Sequence, residues 1–485
     1  MVVLVRGHGD ALETFWVRRS DAVSYMPGFD AFLGGGIEPS DAELAVAGTA
    51  DEQDRVLRAC AIREAFEETG VLVALDGPLA GDAHALAKAR GLLLDGEASF
   101  PELARAHGWS FRAAALTAAG RWQTPAFTTV RFDAQYFLVR VPEGQEPVVR
   151  PGELASGAWI APAAALERWR RGEAAFAAPI LHTLLALAGG EAGLEERLLS
   201  PRERMAPAAR RIELKWGIVL HPMKTRPLPP ATHTNAYLVG EREMALVDPG
   251  SADPAEVEGL LAAIAALEAE GRRLKLILLT HHHPDHVAGI EAVRARHPVP
   301  VAAHAETAKR VRCDLAVKDG DWIPLLPGAG DWNLRVLHTP GHTQGHLCFF
   351  HPRTGSLFTG DHIPGGAGTV IIDPPEGDMR RYVESLERLA REPVVTLFPA
   401  HGAPQGAAQR RIRGLIEHRL KREAMVLAAL DDEPRSLDAL VEVAYADTAR
   451  ELWGYAERSL LAHLVKLEAE GRAASEDERW RRVEA

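Results

Sequence analysis

Apolar residues along this chain fall into two rhythms. Short runs that end abruptly at a polar or glycine-bearing turn read as buried strands, and Leu276-Ile277-Leu278-Leu279 is the clearest. Leu334-Arg335-Val336-Leu337, Gly355-Ser356-Leu357-Phe358 and Val394-Val395-Thr396-Leu397-Phe398 have the same form. So do Met1 to Arg6, Phe15 to Arg19 and Gln135 to Val139. Thr234 to Val239 and Met244 to Val247 flank the short turn Gly240-Glu241-Arg242-Glu243, which predicts neighbouring strands. Helical spacing takes over at 255–270, closed by Gly271, and again beyond residue 405. The span from about 83 to 120 reads as a helical insert, and 189–211, charged and rich in Ala and Pro, as a linker. No internal repeat is evident.

With 485 residues, two to four domains are expected. A formal charge of −12 argues against a strongly basic nucleic-acid binder but leaves room for a local basic groove. Cys60, Cys313 and Cys348 lie far apart, which suggests no disulfide framework and a reducing compartment. No long apolar segment or cleavage site marks the first residues, so a cytoplasmic protein with no membrane span is expected.

Chemistry concentrates in Thr280-His281-His282-His283-Pro284-Asp285-His286, directly after one of the apolar runs. Imidazole and carboxylate together suit zinc and its first-row neighbours. Alternate residues can address one ion while Asp285 and His286 turn to a second. Further candidates follow other strand-like runs: His342 in Thr-Pro-Gly-His-Thr, Asp361 in Thr-Gly-Asp-His, and His401 in Pro-Ala-His-Gly. These four pieces in this order, with Asp248 in Val-Asp-Pro-Gly before them as a fifth, resemble the metallo-beta-lactamase superfamily over about 212–405. The resemblance implies two mixed sheets between helices, an αββα sandwich, holding two zinc or manganese ions. It would place His281, His283 and His342 on one ion, Asp285, His286 and His401 on the other, and Asp361 between them, with catalytic roles for Asp285 and Asp361. Ions about 3.5–4 Å apart can share an activated hydroxide. Asp248 would support the site. His282 reads as a loop residue; His362 is a candidate substrate contact or a supporting residue.

A second acidic motif stands near the N-terminus. In Arg63-Glu64-Ala65-Phe66-Glu67-Glu68-Thr69-Gly70-Val71, Glu64, Glu67 and Glu68 share one helical face, and Gly70 can end the helix. Clustered carboxylates repel unless a cation joins them, and oxygen-only donors suit magnesium or manganese. The stretch resembles the second half of the Nudix box, Gly-x5-Glu-x7-Arg-Glu-φ-x-Glu-Glu-x-Gly-φ. The first half departs: Asp41 follows Gly35 where the box has Glu, and twenty-one residues separate Asp41 from Arg63. The long insert resembles the branch that includes peroxisomal coenzyme A diphosphatases, and Arg19-Ser20, Gly28 and Phe32-Leu33-Gly34-Gly35 partly match a coenzyme A diphosphatase signature, with Ser24 where it has Arg and Leu33 where it has Pro. The resemblance implies an α/β/α sandwich over 1–188 that attacks phosphoric anhydrides. Glu64, Glu67 and Glu68 would hold the metal, with Glu67 and Glu68 catalytic. Gly34 and Gly35 are candidate substrate contacts because glycine permits close backbone approach. Arg63 reads as a structural partner of a neighbouring carboxylate. A docking or sensing role is the alternative.

Beyond His401, Arg410, Arg411, Arg413, Arg419, Lys421 and Arg422 form a basic stretch beside an apolar side. Ser436 caps a second helix, Ser459 to Glu468 lie in a third, and a wing includes Trp480. Residues 406–485 thus read as a mostly helical, winged-helix-like module. With this module, 212–485 resembles the lactamase-like endoribonuclease family, also called beta-lactamase-like protein 2. A fusion of two metal-dependent hydrolases, mixing α/β and α+β domains, is therefore expected. Its substrate could be single-stranded RNA or an acyl thioester of glyoxalase or coenzyme A type, with a small-molecule diphosphate for the Nudix-like part. A non-catalytic RNA- or nucleotide-binding regulator is the third reading.

Overall fold

A computed structural model describes residues 1–78, 82–125, 128, 130–203, 211–325, 332–366 and 370–483. The chain divides into two compact units, one of Met1–Ala126 with Val130–Trp216, the other centred on Gly217–Ala485.

The first unit is built on β1 (Val2–Arg6), β2 (Glu13–Arg19), α1 (Glu52–Thr69), β3 (Thr117–Gln123), β4 (Asp133–Arg140) and β5 (Leu154–Ile160). β1 runs antiparallel to β2 and parallel to β4; β3 pairs with β4, and β5 with β2. Successive strand residues face opposite sides. Val2 and Leu4 pack with Ile62, Ala65 and Phe66 of α1. Val3 and Val5 pack with Leu166, Trp169, Ile180 and Leu184 from helices Pro162–Arg170 and Ala178–Ala188. A strand apolar on both faces is thereby covered by helices on both, giving the α/β/α sandwich.

The span read as an insert holds helices Ala83–Leu94 and Phe100–His107, then strand β3. It belongs to the core: Phe100 and Trp109 each place a ring 5.6 Å from Phe66 of α1. The span read as a linker contains the helix Leu194–Leu198, whose Leu198 is fully buried in the first unit. Its Ala206, Pro207, Ala208, Ala209 and Arg210 lie outside the described residues.

In the second unit, β6 (Ile218–Lys224), β7 (His233–Val239), β8 (Glu243–Val247), β9 (Arg273–Leu278), β10 (Val301–Ala303) and β11 (Leu315–Ala316) stand side by side in that order. Pairing is antiparallel from β6 to β8 and parallel from β8 to β11. Helix α2 (Pro254–Ala269) covers one face through Leu260, Ile264 and Leu267. A second sheet follows as β12 (Trp322–Leu325), β13 (Trp332–His338), β14 (Leu347–His351), β15 (Ser356–Gly360) and β16 (Thr396–Pro399), with only the last pair parallel. Helices α3 (Met379–Leu389) and α4 (Ala408–Ala429) pack on its outer face. Tyr237 of β7 meets Phe358 of β15 and Phe398 of β16 at 5.3 and 5.7 Å, so the two sheets face each other. The layers are helix, sheet, sheet, helix.

α4 continues into a module of α5 (Leu437–Ala444), α6 (Trp453–Ala469) and the hairpin β17 (Ala473–Glu476) and β18 (Arg479–Arg482). Ser436 caps α5, and Trp480 of the wing is buried with Val426, Leu440 and Leu460. The basic stretch is divided by this packing. Arg419 and Arg422 are buried, whereas Arg410, Arg413 and Lys421 are exposed.

Candidate metal centres

In the second unit the chemistry gathers where strands end. Asp248 follows β8, Thr280 to His286 follow β9, His342 follows β13, Asp361 follows β15 and His401 follows β16. Asp248 fixes the histidine-rich loop at its first residue. One carboxylate oxygen accepts from the Thr280 amide at 2.8 Å, the other from the Thr280 hydroxyl at 2.6 Å. Gly341 lets the His342 loop approach α3, since a Cβ there would stand 2.4 Å from Tyr382 Cα.

The histidine rings converge. His281 Nε2 lies 2.9 Å from His283 Nδ1, which lies 3.1 Å from His342 Nε2. These three and Asp361 offer donor atoms all within 4.8 Å of one another; Asp285, His286 and His401 form a second such set. Asp361 faces both. Its Oδ2 lies 3.6 Å from His342 and 3.9 Å from His281, and its Oδ1 3.1 Å from His401 and 3.4 Å from His286. The outward nitrogens are anchored: His342 Nδ1 at Ile371 O (3.1 Å), His401 Nδ1 at His233 O (2.9 Å), His286 Nδ1 at Asp248 (2.9 Å). Such contacts fix ring orientation and tautomer and leave Nε2 as the donor.

Ionisation divides the cluster. Burial, reinforced by neighbouring rings, lowers His281 well below the usual range; burial and His342 take His283 down to about 3. Burial also works against charge on His401 and His286, but carboxylates outweigh it. Asp361 and Asp285 raise His401 to about 10, and Asp361 and Asp248 raise His286. Burial resists ionisation of Asp361, yet His401 and His286 hold it well below the carboxylate range. Three imidazole lone pairs around one point repel unless a proton or a cation sits among them. This donor set fits a borderline divalent ion such as zinc.

His282 pairs with Glu376 at 3.4 Å. His362 does not reach an open wall: it is fully buried, with its ring 4.7 Å from that of Tyr382. Sequence reasoning passed over His346, fully buried with its ring 5.3 Å from that of His281, although Gly345-His346 after a strand-end loop offered the same signal as His342.

In the first unit, Asp51 caps α1 and Gly70 ends it in the left-handed conformation. Arg63, 1% exposed, is the hub. Nε and Nη2 grip Asp41 at 2.8 and 3.1 Å, while Nη1 reaches Glu67 at 2.9 Å and Glu64 at 3.0 Å. Glu68 accepts from the Gly34 amide at 2.7 Å. Gly35 makes room for Glu64: a Cβ there would stand 2.4 Å from its Oε1. Glu64, Glu67 and Glu68 do not form one of the sets whose donor atoms lie within 4.8 Å of one another. Arg63 and Gly34 take their oxygens instead. Burial, with neighbouring carboxylates, raises Glu64 to about 7 and Glu68 to about 8. Arg90, from the helix read as an insert, donates to Glu67 O at 2.9 Å and steadies the end of α1.

Residues 229–401 match the metallo-beta-lactamase superfamily, 436–480 the beta-lactamase associated winged helix domain, and 45–187 the NUDT19 Nudix domain. A beta-lactamase-like protein 2 homolog of Drosophila melanogaster is 33% identical over 254 residues, 49% of this chain and 83% of that protein. A hydroxyacylglutathione hydrolase of Cereibacter sphaeroides is 34% identical over 201 residues, 40% of this chain and 72% of that enzyme. A solved NUDIX hydrolase from Alicyclobacillus acidocaldarius is 29% identical, covering 40% of this chain and 93% of its own, with a TM-score of 0.36. The chain belongs to the metallo-beta-lactamase superfamily. It is a hydrolase that carries a Nudix domain and a C-terminal winged helix. No helix among the described residues is long and apolar enough to cross a membrane.

Proposed function

We propose that the second unit is a dinuclear metal-dependent hydrolase acting on single-stranded RNA. The observation that carries the dinuclear part is the two-sided placement of Asp361, one oxygen toward each histidine group. His281, His283 and His342 would hold one divalent ion, Asp285, His286 and His401 the other, and Asp361 both. Bound there, a pair of zinc or manganese ions supplies Lewis acidity and a water acidified toward neutral pH. The chain's own part is orientation. Asp248, His233 O and Ile371 O hold the rings, and Asp361 keeps its charge between the two groups. Support for RNA comes from the winged-helix match and from exposed Arg479, Arg481 and Arg482 on the wing, a sequence-independent footing for phosphate.

The second reading is thioester hydrolysis, favoured by the similarity to a hydroxyacylglutathione hydrolase. For the Nudix domain we propose diphosphate hydrolysis with magnesium or manganese on Glu64, Glu67 and Glu68. The all-oxygen donors suit such an ion, and burial holds Glu64 and Glu68 raised, so a divalent cation that displaced their protons would relieve both.

The test is cleavage of end-labelled single-stranded RNA by zinc- or manganese-loaded protein beside Asp361→Ala. Cleavage by the parent alone supports the proposal. Turnover of acyl-glutathione or acyl-coenzyme A without RNA cleavage replaces RNA by thioester. Equal RNA cleavage by both proteins sinks the role of Asp361.

A further inference from the structure

The inner face of α4 carries Ala408, Ile412, Leu415 and then Arg419, at helical spacing and all buried. The three apolar residues join the core that contains Val370, Ile372 and Tyr382. Arg419, 2% exposed, puts a guanidinium where the pattern calls for another apolar side chain. Burying a charge is costly unless strong contacts repay it. What it reaches is specific: Nη2 donates to Val370 O, and the guanidinium lies 5.2 Å from the centre of the Tyr382 ring.

Both contacts lead to the metal centre. The peptide after Val370 presents Ile371 O, the acceptor that orients His342. Residues 370–373 lie in no helix or strand, so their carbonyls depend on outside anchors. Tyr382 in turn donates its hydroxyl to His362 O at 2.9 Å, one residue beyond Asp361. Arg411, two turns earlier on α4, donates to Pro364 O at 3.2 Å on the same segment. The rings of the other histidine group are aimed from elsewhere, His401 by His233 O at the start of β7 and His286 by Asp248 after β8, although the His401 backbone accepts from the Gly365 amide of this segment at 2.8 Å.

We propose that Arg419 is a positioning residue for the group His281, His283 and His342, fixing from α4 the chain next to the peptide that aims His342, and that it acts on this group more than on the group Asp285, His286 and His401. The inference rests on the dinuclear reading above. It makes the helix that begins the C-terminal module part of the metal centre's support. A direct hydrogen bond to a metal-bound histidine is worth about 10–100-fold in metal affinity; Arg419 stands one step further back, on Val370 O, so the lower end is expected.

The test is equilibrium titration of metal-free protein with zinc against a competing chelator, for the parent, Arg419→Met, Arg419→Lys and His342→Ala. The parent should bind two ions. In Arg419→Met one ion should weaken by about 10-fold, more than the other, and it should be the ion that His342→Ala loses. Arg419→Lys, which keeps the charge without the planar fork, should show a smaller loss at that same ion. Equal weakening of both ions, or two unaltered ions, in folded Arg419→Met overturns the inference. If the Met variant does not fold, the Lys variant decides by the same two criteria. A parent that binds fewer than two ions sinks the dinuclear reading itself, a result separable from any effect of Arg419.

Discussion

Asp248 accepts a 2.9 Å hydrogen bond from His286 Nδ1 while its two oxygens also hold the amide and hydroxyl of Thr280. One buried carboxylate thus ties Thr280, at the start of the histidine loop, to the ring of His286, six residues further on. Asp248 sits at φ 50°, a conformation that Asn tolerates. Asp248→Asn should therefore keep the backbone and weaken the ion on the Asp285, His286 and His401 group by about 10–100-fold. Metal content after dialysis against a chelator checks this; two retained ions would refute the support role.

Metal uptake at that group should release a proton above neutral pH. In the metal-free protein, burial opposes the charge on His401, but Asp361 and Asp285 raise it to about 10. A metal must displace that proton, so affinity should climb as pH rises toward 10. The same raised value stabilises the metal-free fold fully below the ordinary histidine range and fades as pH passes about 10. Proton release on zinc addition at pH 8, followed with an indicator dye, checks the first statement. Asp361→Asn should reduce it.

The Nudix carboxylates have the same sign for a different reason. Burial raises Glu64 to about 7 and Glu68 to about 8, so the folded chain holds protons that the unfolded chain has released. Their contribution to stability is present below about pH 4.5 and is lost as pH rises through 7 and 8. Without divalent ions, the first unit should lose unfolding temperature between pH 5 and about 8. Magnesium or manganese should restore it at the upper end, and Glu64→Gln with Glu68→Gln should flatten the slope.

Gly35→Ala should separate the two units' activities. A Cβ 2.4 Å from Glu64 Oε1 must push that carboxylate aside. Divalent-ion-dependent hydrolysis of a diphosphate should fall by an order of magnitude or more, while hydrolysis by the second unit stays unchanged. A variant with full diphosphate turnover would remove Glu64 from the proposed site.

Asp41→Ala should destabilise the first unit. Arg63 and Asp41 are 1% and 2% exposed, and removing one partner of a buried pair costs about 3–5 kcal/mol. Glu64 and Glu67 still face Arg63, so the lower end is expected. Denaturant unfolding of parent and variant gives the value; a change below about 1 kcal/mol, the scale of an exposed pair, would show the bond to be dispensable.

What could be read from the sequence was whatever local order exposes. Strand ends followed by His or Asp placed His281, His283, His342 and Asp361 in one set and His401 in the set beside it, because a sheet brings its strand ends together. Arg63 could be read as a carboxylate's partner, but not as the partner of Asp41, since twenty-one residues and a turn of chain lie between. Acceptors such as Ile371 O and His233 O carry no side-chain signature. The arginines of α4 looked like one basic stretch because composition does not distinguish the helix's two faces. Counting from Ile412 and Leu415 puts Arg419 on the inner one. The insert and the linker were underestimated for a related reason: Phe100 and Leu198 look like ordinary apolar residues until the core they complete is known.

The 22 residues of α4 extend ~33 Å, with Ile412 and Leu415 sunk in the metal domain's core and Val426 and Ala429 in that of the winged helix. Two domains that share one continuous rod have no seam. A gene truncated after His401 would strip the metal domain of part of its own wall, and a protease seeking the boundary would find helix where a hinge should be. In such a protein, exchanging the C-terminal module for another would mean splicing within a helix, in register, with both cores rebuilt at once.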